Sequence, residues 1–353
     1  MNYYITQRRD NVFNAGSKAP GDVNAICSEL GWEEVPLVGV RRKDRALKKA
    51  WSILRYALSW AGLTVRAGKG SAVLYQHPMY FGTKICAPFL RLMRLKGINT
   101  IVLIHDIEHL RAGEIKDATK QLEIDFLKFF EYVVCHNYRM REYLAAQGVD
   151  ERKLVELGIF DYLVDECADC LMAGKDNLVE PAGPSVIVAG NLDAQKCSYI
   201  YEMASSNPDV HISLYGIGYE DQGNVNISYE GSFAPEKLPS ALRGDYGVVW
   251  DGNSIESCAG PMGDYLLYNN PHKLSLYLCA GIPAIVWKKS AVARFVEENE
   301  CGILVDELTD IKEEIAKVPE AEHARMRESC ARISHRMRRG AYFKDALQRM
   351  GIA

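Results

Sequence analysis

The sequence is poor in the signatures that would assign it quickly. No apolar run approaches the ~18 residues of a membrane-spanning helix. There is no G-x-G-x-x-G after a strand-like run, no Walker-type lysine loop and no G-x-S-x-G elbow. Those gaps argue against dinucleotide dehydrogenases, P-loop kinases and α/β-hydrolases. The ten cysteines are scattered, and Cys167-Ala168-Asp169-Cys170 has neither a second pair nor a histidine at zinc spacing. Free thiols and no metal centre are expected, in a reducing cytoplasm. The opening Met1-Asn2-Tyr3-Tyr4-Ile5-Thr6 runs into Gln7-Arg8-Arg9-Asp10 without a signal-peptide core, which fits a cytoplasmic location.

Acid is also nearly missing from one stretch. From Arg41 to Thr100, thirteen Lys/Arg stand against the single acid Asp44, a net of +12. The whole chain carries −4, so the remainder carries −16 and no polycation for nucleic acid results. After Lys49, Trp51, Leu54, Leu58 and Ala61 recur at helical spacing beside Trp60. Segment 41–100 reads either as a core helix with a solvated basic edge or as a face for anionic lipid headgroups. The second reading places the protein peripherally at the inner membrane face. Oligomeric state is not legible, and a homo-oligomer is compatible with the pattern.

Hydrophobic residues at 48% and charged residues at 25% describe a folded globular chain, and its 353 residues suggest about two domains. Apolar β-like runs alternate with helical patterns over residues 3–147. A turn-rich break follows at Gly174–Pro184, and the alternation restarts at Val186. The expected architecture is α/β, with two doubly wound parallel-sheet domains facing a cleft. Expected bounds are 1–173 for the first, 174–184 for the linker and 185–333 for the second, with 334–353 packing back onto the first. Ligands in such folds bind beyond the carboxyl ends of the strands, so the chemistry should lie there.

In the second half, Tyr268-Asn269-Asn270-Pro271-His272-Lys273 opens a helical pattern. Asn270 suits the N-cap and Pro271 the first helical position. Lys273 in the first turn conflicts with the helix dipole, and a bound phosphate would remove that conflict. The plain alternative is a capped helix with a solvated lysine. Strand-end loops bring Gly190-Asn191, with Lys196 a turn later, Tyr215-Gly216 and Trp250-Asp251-Gly252. Tyr215 suits stacking on a base and Asp251 accepting from sugar hydroxyls, although each also reads as turn chemistry.

In the first half, Ile101–Ile104 runs into His105-Asp106-Ile107-Glu108-His109-Leu110-Arg111. The literal H-x-x-E-H needs one helix beneath both imidazoles, whereas His105 directly follows a β-like run. A strand-end His105–Asp106 pair acting as general base is the better chemical reading; hydrogen bonding within the turn is the plain one. His77 is the competing base, and Gly16-Ser17-Lys18 is a weak phosphate-contact turn.

With those residues on the page, the chain resembles GT-B glycosyltransferases. In particular it resembles the galactofuranosyltransferase-like group, which includes the streptococcal glucosyltransferase acting on serine-rich-repeat adhesins. The resemblance is carried by Asn270-Pro271-His272-Lys273-Leu274-Ser275, Ala280–Val286, Ser290-Ala291, Phe295–Asn299 and Gly302, with weaker echoes at Gly190-Asn191-Leu192 and His105-Asp106. It implies metal-independent transfer of a hexosyl group from UDP-glucose, UDP-galactose or UDP-galactofuranose to a glycan, glycolipid or glycoprotein. No cofactor is implied beyond the UDP-sugar donor. By position, Asn270, His272 and Lys273 would hold the diphosphate, Tyr215 would lie by the uridine, and Ser17, Asn191, Lys196, Asp251 and Asn269 would line the donor site. His77 and Arg111 fall on the acceptor side, where Asp106, oriented by His105, would be the base of an inverting transfer. A non-catalytic partner of a glycosyltransferase complex and a UDP-sugar epimerase are the rival readings.

Overall fold

The computed structural model describes residues 1–7, 15–37, 46–79, 82–113, 117–164 and 183–352, without the side chains of 15–16. Cys167, Cys170, segment 41–45 and most of the expected linker, 174–182, lie outside the described residues. The chain divides into two compact units. Unit 1 is Met1–His109, Glu114–Leu157 and Phe343–Ala353; unit 2 is Leu110–Gly113 and Gly158–Tyr342.

Unit 1 holds a parallel sheet of β1 (Tyr3–Gln7), β2 (Glu33–Leu37), β3 (Ala72–His77), β4 (Asn99–Ile104), β5 (Tyr132–Cys135) and β6 (Leu154–Glu156), in the order β2-β1-β3-β4-β5-β6. Strand β4 reads NTIVLI and is buried along nearly its whole length, because helices cover both faces of such a sheet. The chain reverses direction across the sheet between β1 and β3.

Unit 2 holds β7 (Ser185–Asn191), β8 (His211–Ile217), β9 (Ile227–Gly231), β10 (Tyr246–Val249), β11 (Ala284–Trp287) and β12 (Gly302–Val305), ordered β12-β11-β10-β7-β8-β9. Its reversal falls between β7 and β10, the doubly wound Rossmann arrangement. Alternate residues of β7 feed two cores. Ile187 and Ala189 pack with Leu274, Tyr277 and Cys330, while Val186 and Val188 pack with Tyr199 and Met203.

The expected boundaries at 173/174 and 333/334 differ from this division, and side-chain bonds explain why. Asn270 Nδ2 donates to the Gly158 carbonyl (2.9 Å), Ser275 Oγ to Phe160 (2.8 Å) and Cys279 Sγ to Tyr162 (3.6 Å). Alternate carbonyls of 158–162 are thus tied along the helix His272–Cys279. On the same helix, Ser334 Oγ donates to the Cys279 carbonyl (2.7 Å), which holds Glu320–Met337 in unit 2.

Tyr277 fixes that helix to the sheet. A Cβ on Gly247 would lie 2.2 Å from Tyr277 Cγ, so only glycine leaves room for the ring on β10. Pairing between β7 and β10 runs through Val186↔Tyr246 and Ile187↔Gly247. Beyond it, the Tyr277 hydroxyl accepts from the Ala189 amide (2.8 Å) and donates to the Val248 carbonyl (3.3 Å). Tyr277→Phe orphans both buried groups and should cost about 2–3 kcal/mol, read as a lower denaturant midpoint.

A buried histidine makes unit 1 sensitive to acid. His136, 1% exposed after β5, donates Nε2–H to the Ile104 carbonyl (3.0 Å). Burial pulls its pKa down to about 4 from an ordinary 6.5. The unfolded chain therefore takes up this proton first, so the contribution is complete above pH 6.5 and is lost as pH falls towards 4. Wild type should lose about 3 kcal/mol over that window, and His136→Gln should flatten the slope there in pH-dependent denaturation.

Candidate active site

Unit 2 gathers its strand-end residues where the sheet reverses. Gly190 and Gly216 are register partners with φ of 132° and 150°, and a Cβ on Gly216 would lie 1.7 Å from the Gly190 carbonyl oxygen. Two glycines are needed for that approach. Gly190 also lies against Lys273: a Cβ there would sit 3.7 Å from Lys273 Cε. Lys273 Nζ donates to the Trp250 carbonyl (2.9 Å) and to Asp251 Oδ1 (2.8 Å). The ends of β7 and β10 and the first turn of His272–Cys279 therefore meet at one ammonium. It has three N–H donors, two of them taken by Trp250 and Asp251.

Several expectations need correcting here. Pro271, not Asn270, is the N-cap, with ψ of 132° and no side chain capping the first turn. Asn270 is buried and committed to Gly158. The conflict between Lys273 and the helix dipole is already relieved by Asp251, so it does not by itself call for a phosphate. One Asp251 oxygen is accordingly engaged with lysine rather than open to a sugar. Tyr215 is 2% exposed: its inward position on β8 buries the ring beside Phe233, and its hydroxyl accepts from the Arg243 amide (3.1 Å). A ring so placed offers no face to a base.

Other donor-side residues lie nearer to expectation in sequence than in role. His272 stacks on Tyr162 (centroids 5.0 Å apart, planes at 25°) with Phe160 at its edge. Asn269 is half-buried, with its Oδ1 enclosed and unpartnered. Asn191 Oδ1 accepts from the Asp193 amide (3.0 Å), closing a turn after β7, and Lys196 is exposed in the helix Ala194–Cys197. In unit 1, Ser17 lies inside the helix Ala15–Glu29, not in the expected turn, and is exposed.

Unit 1 places its polar groups at the carboxyl ends of β3 and β4. Asn24 Oδ1 accepts from Gln76 Nε2 (2.7 Å), and Gln76 Oε1 is 2.7 Å from His105 Nε2. The amide orientation makes that nitrogen the N–H donor and leaves Nδ1 the lone pair. Asp106 follows, half-buried, and Arg111 ends the short helix Glu108–Arg111. His105 and His109 turn to different partners, so they do not form the paired ligand set of a metallohydrolase.

Sequence reasoning missed the group that organises this end, Glu123. Its Oε1 accepts from His77 Nε2 (2.8 Å) and the Glu108 amide (3.0 Å); its Oε2 accepts from His109 Nδ1 (2.6 Å) and the His109 amide (3.1 Å). His109 Nε2 in turn meets the Tyr143 hydroxyl (2.6 Å). Burial alone would raise the Glu123 carboxyl, but the bonds from His109 and His77 outweigh it and hold it well below the usual carboxylate range. Four donors fill the carboxylate, leaving His77 Nδ1 enclosed without a hydrogen-bond partner. No local signal marks it in the sequence, because Asp125 flanks the same buried Ile124 and Phe126 in the helix Asp117–Leu127.

Comparison with known proteins identifies the family of the chain. The N-terminal domain model of glucosyltransferase 3-like proteins matches residues 2–159, and the C-terminal domain model matches 186–350. The chain belongs to the glucosyltransferase 3-like family. It is 31% identical over 354 residues to the β-1,6-galactofuranosyltransferase WbbI of Escherichia coli (strain K12), covering 98% of this chain and 97% of that one. It is 24% identical over 288 residues to glucosyltransferase 3 of Streptococcus gordonii, covering 81% and 80%. Its fold is shared with Anabaena HepE, solved with UDP and glucose (TM-score 0.61, 11% identity, 99% and 98% covered). The lipopolysaccharide outer core galactosyltransferase WaaB is similar (0.59, 11%, 99% and 100%). The protein is thus a glycosyltransferase of the GT-B fold, which favours transfer over the epimerase and non-catalytic alternatives.

The Glu123 cluster has a consequence for stability. Glu123→Gln turns an amide N–H₂ towards N–H donors, so it should lower the unfolding free energy of unit 1 by about 3 kcal/mol. Urea titration of the purified variant measures it.

Proposed function

We propose that this protein moves a hexosyl group from a UDP-sugar to a sugar hydroxyl of a glycan, glycolipid or glycoprotein, with UDP-galactofuranose the first donor to test. The observation that carries this reading is the near full-length 31% identity to a β-1,6-galactofuranosyltransferase. In this reading unit 2 binds the donor. The uncapped start of His272–Cys279 and the third N–H of Lys273 meet the diphosphate as it gathers charge on leaving. A site charged in this way needs no metal to neutralise the leaving group.

Unit 1 serves the acceptor. Asp106 takes the hydroxyl proton in an inverting transfer, and His105, its tautomer set through Gln76, orients it. His77 is the weaker candidate base, since Nε2–H is given to Glu123 and Nδ1, although it keeps its lone pair, is enclosed.

Thermal-shift titration with UDP and the three UDP-sugars, followed by turnover assays with and without chelator, tests the reading. One UDP-sugar should stabilise selectively, and turnover should survive chelation. Lys273→Met should weaken UDP binding about 10–100-fold, the worth of a charge-assisted hydrogen bond. Asp106→Asn should cut turnover about 10²–10⁴-fold with UDP binding intact. Unchanged UDP affinity in Lys273→Met contradicts the donor site; unchanged turnover in Asp106→Asn excludes Asp106 as the base.

A further inference from the structure

The helix Ala46–Arg66 buries one face and leaves an apolar row on the other. Ser52, Tyr56, Trp60 and Leu63 point into unit 1. On the outside, Leu47 is 88% exposed, Trp51 59%, Leu54 47% and Leu58 59%. These four positions fall at spacings of four, three and four, so they form one continuous stripe. A soluble protein scatters such residues, and a contiguous exposed stripe marks a contact surface.

The charges beside the stripe choose the partner. The helix contains no acid, and Lys49 and Arg55 are exposed along it. The neighbouring helix Thr83–Leu95 has no acid either, and carries exposed Lys84, Arg91, which lies over the Phe129 ring, and Arg94, which pairs with Glu131 (3.5 Å). A second copy of the chain laid on this stripe would bring cations against cations with no acid on either helix to answer them. An anionic lipid surface answers them, while leucines and a tryptophan enter the headgroup boundary and the cationic heads stay at the phosphates.

We infer that the outer face of Ala46–Arg66 is a docking surface for anionic phospholipid, seating the enzyme in the plane of the membrane interface without crossing it. No described helix is long and apolar enough to span a bilayer. The inference stands apart from the donor assignment, and it points to a lipid-linked acceptor among those proposed.

Co-sedimentation of the full chain with phosphatidylcholine vesicles, with and without phosphatidylglycerol, tests it. The protein should pellet with the anionic vesicles, stay in solution with the neutral ones, and be released by high salt. Trp51→Ser with Leu54→Ser should weaken vesicle binding at least about tenfold, since each removes an inserted side chain. Lys49→Glu with Arg55→Glu should do the same by reversing charge. All these positions are exposed, and the thermal response of the variants to UDP should match wild type, which separates this test from that of the donor site. Absence of binding to anionic vesicles overturns the inference, as does equal binding to neutral ones. So does light scattering that shows an oligomer dissociating in Trp51→Ser/Leu54→Ser while wild type ignores vesicles.

Discussion

Parallel strands that part company leave backbone groups without partners, and unit 2 is built on how that deficit is met. Where β7 leaves β10, the Tyr277 hydroxyl takes the Ala189 amide and returns a hydrogen bond to the Val248 carbonyl. The ring reaches there only because residue 247 is glycine. One side chain thus satisfies the sheet at its point of reversal and pins a helix to it. The pinning sets the axis and rotation of His272–Cys279, which delivers Lys273 to the carbonyl of Trp250 and the carboxylate of Asp251. Tyr277 is core, yet it determines where the Lys273 ammonium stands.

Unit 1 meets the same kind of demand with a charge. Glu123 sits among aromatic and aliphatic side chains, where a lone carboxylate would be expelled or neutralised. Four N–H donors saturate it, two from imidazoles and two from the backbone of the turn after β4. The carboxylate therefore ties the end of β3 to the start of the helix Glu108–Arg111, and it dictates which nitrogen of His77 carries hydrogen. Such a network holds the loop at the strand end together with the buried side chain of Ile107.

Much of this was legible in the sequence. Continuous apolar runs such as Ile101–Ile104 and Ala284–Trp287 announced buried parallel strands, and the alternation with helices announced two doubly wound sheets. Local pattern failed where tertiary contacts override it. Asn270 is a good capping residue by type, but the Gly158 carbonyl claims its amide and Pro271 takes the cap. Tyr215 suited stacking on a base by its place at a strand end, but β8 is buried on both faces there and takes the ring into the core. Glu123 was invisible because nothing local distinguishes it from a surface acid, and its partners lie fourteen and forty-six residues away. The strap at 158–162 was hidden for a similar reason: its carbonyls are claimed by side chains more than a hundred residues later.

In the proposed function, the start of His272–Cys279, where the sheet of unit 2 reverses, receives the diphosphate of the donor. A crystal structure of the UDP complex tests it most directly. The expected result places a pyrophosphate oxygen within hydrogen-bonding distance of Lys273 Nζ and of the first-turn amides, with Gly190 beside it. A pyrophosphate bound elsewhere, with Lys273 still held only by Trp250 and Asp251, would contradict it.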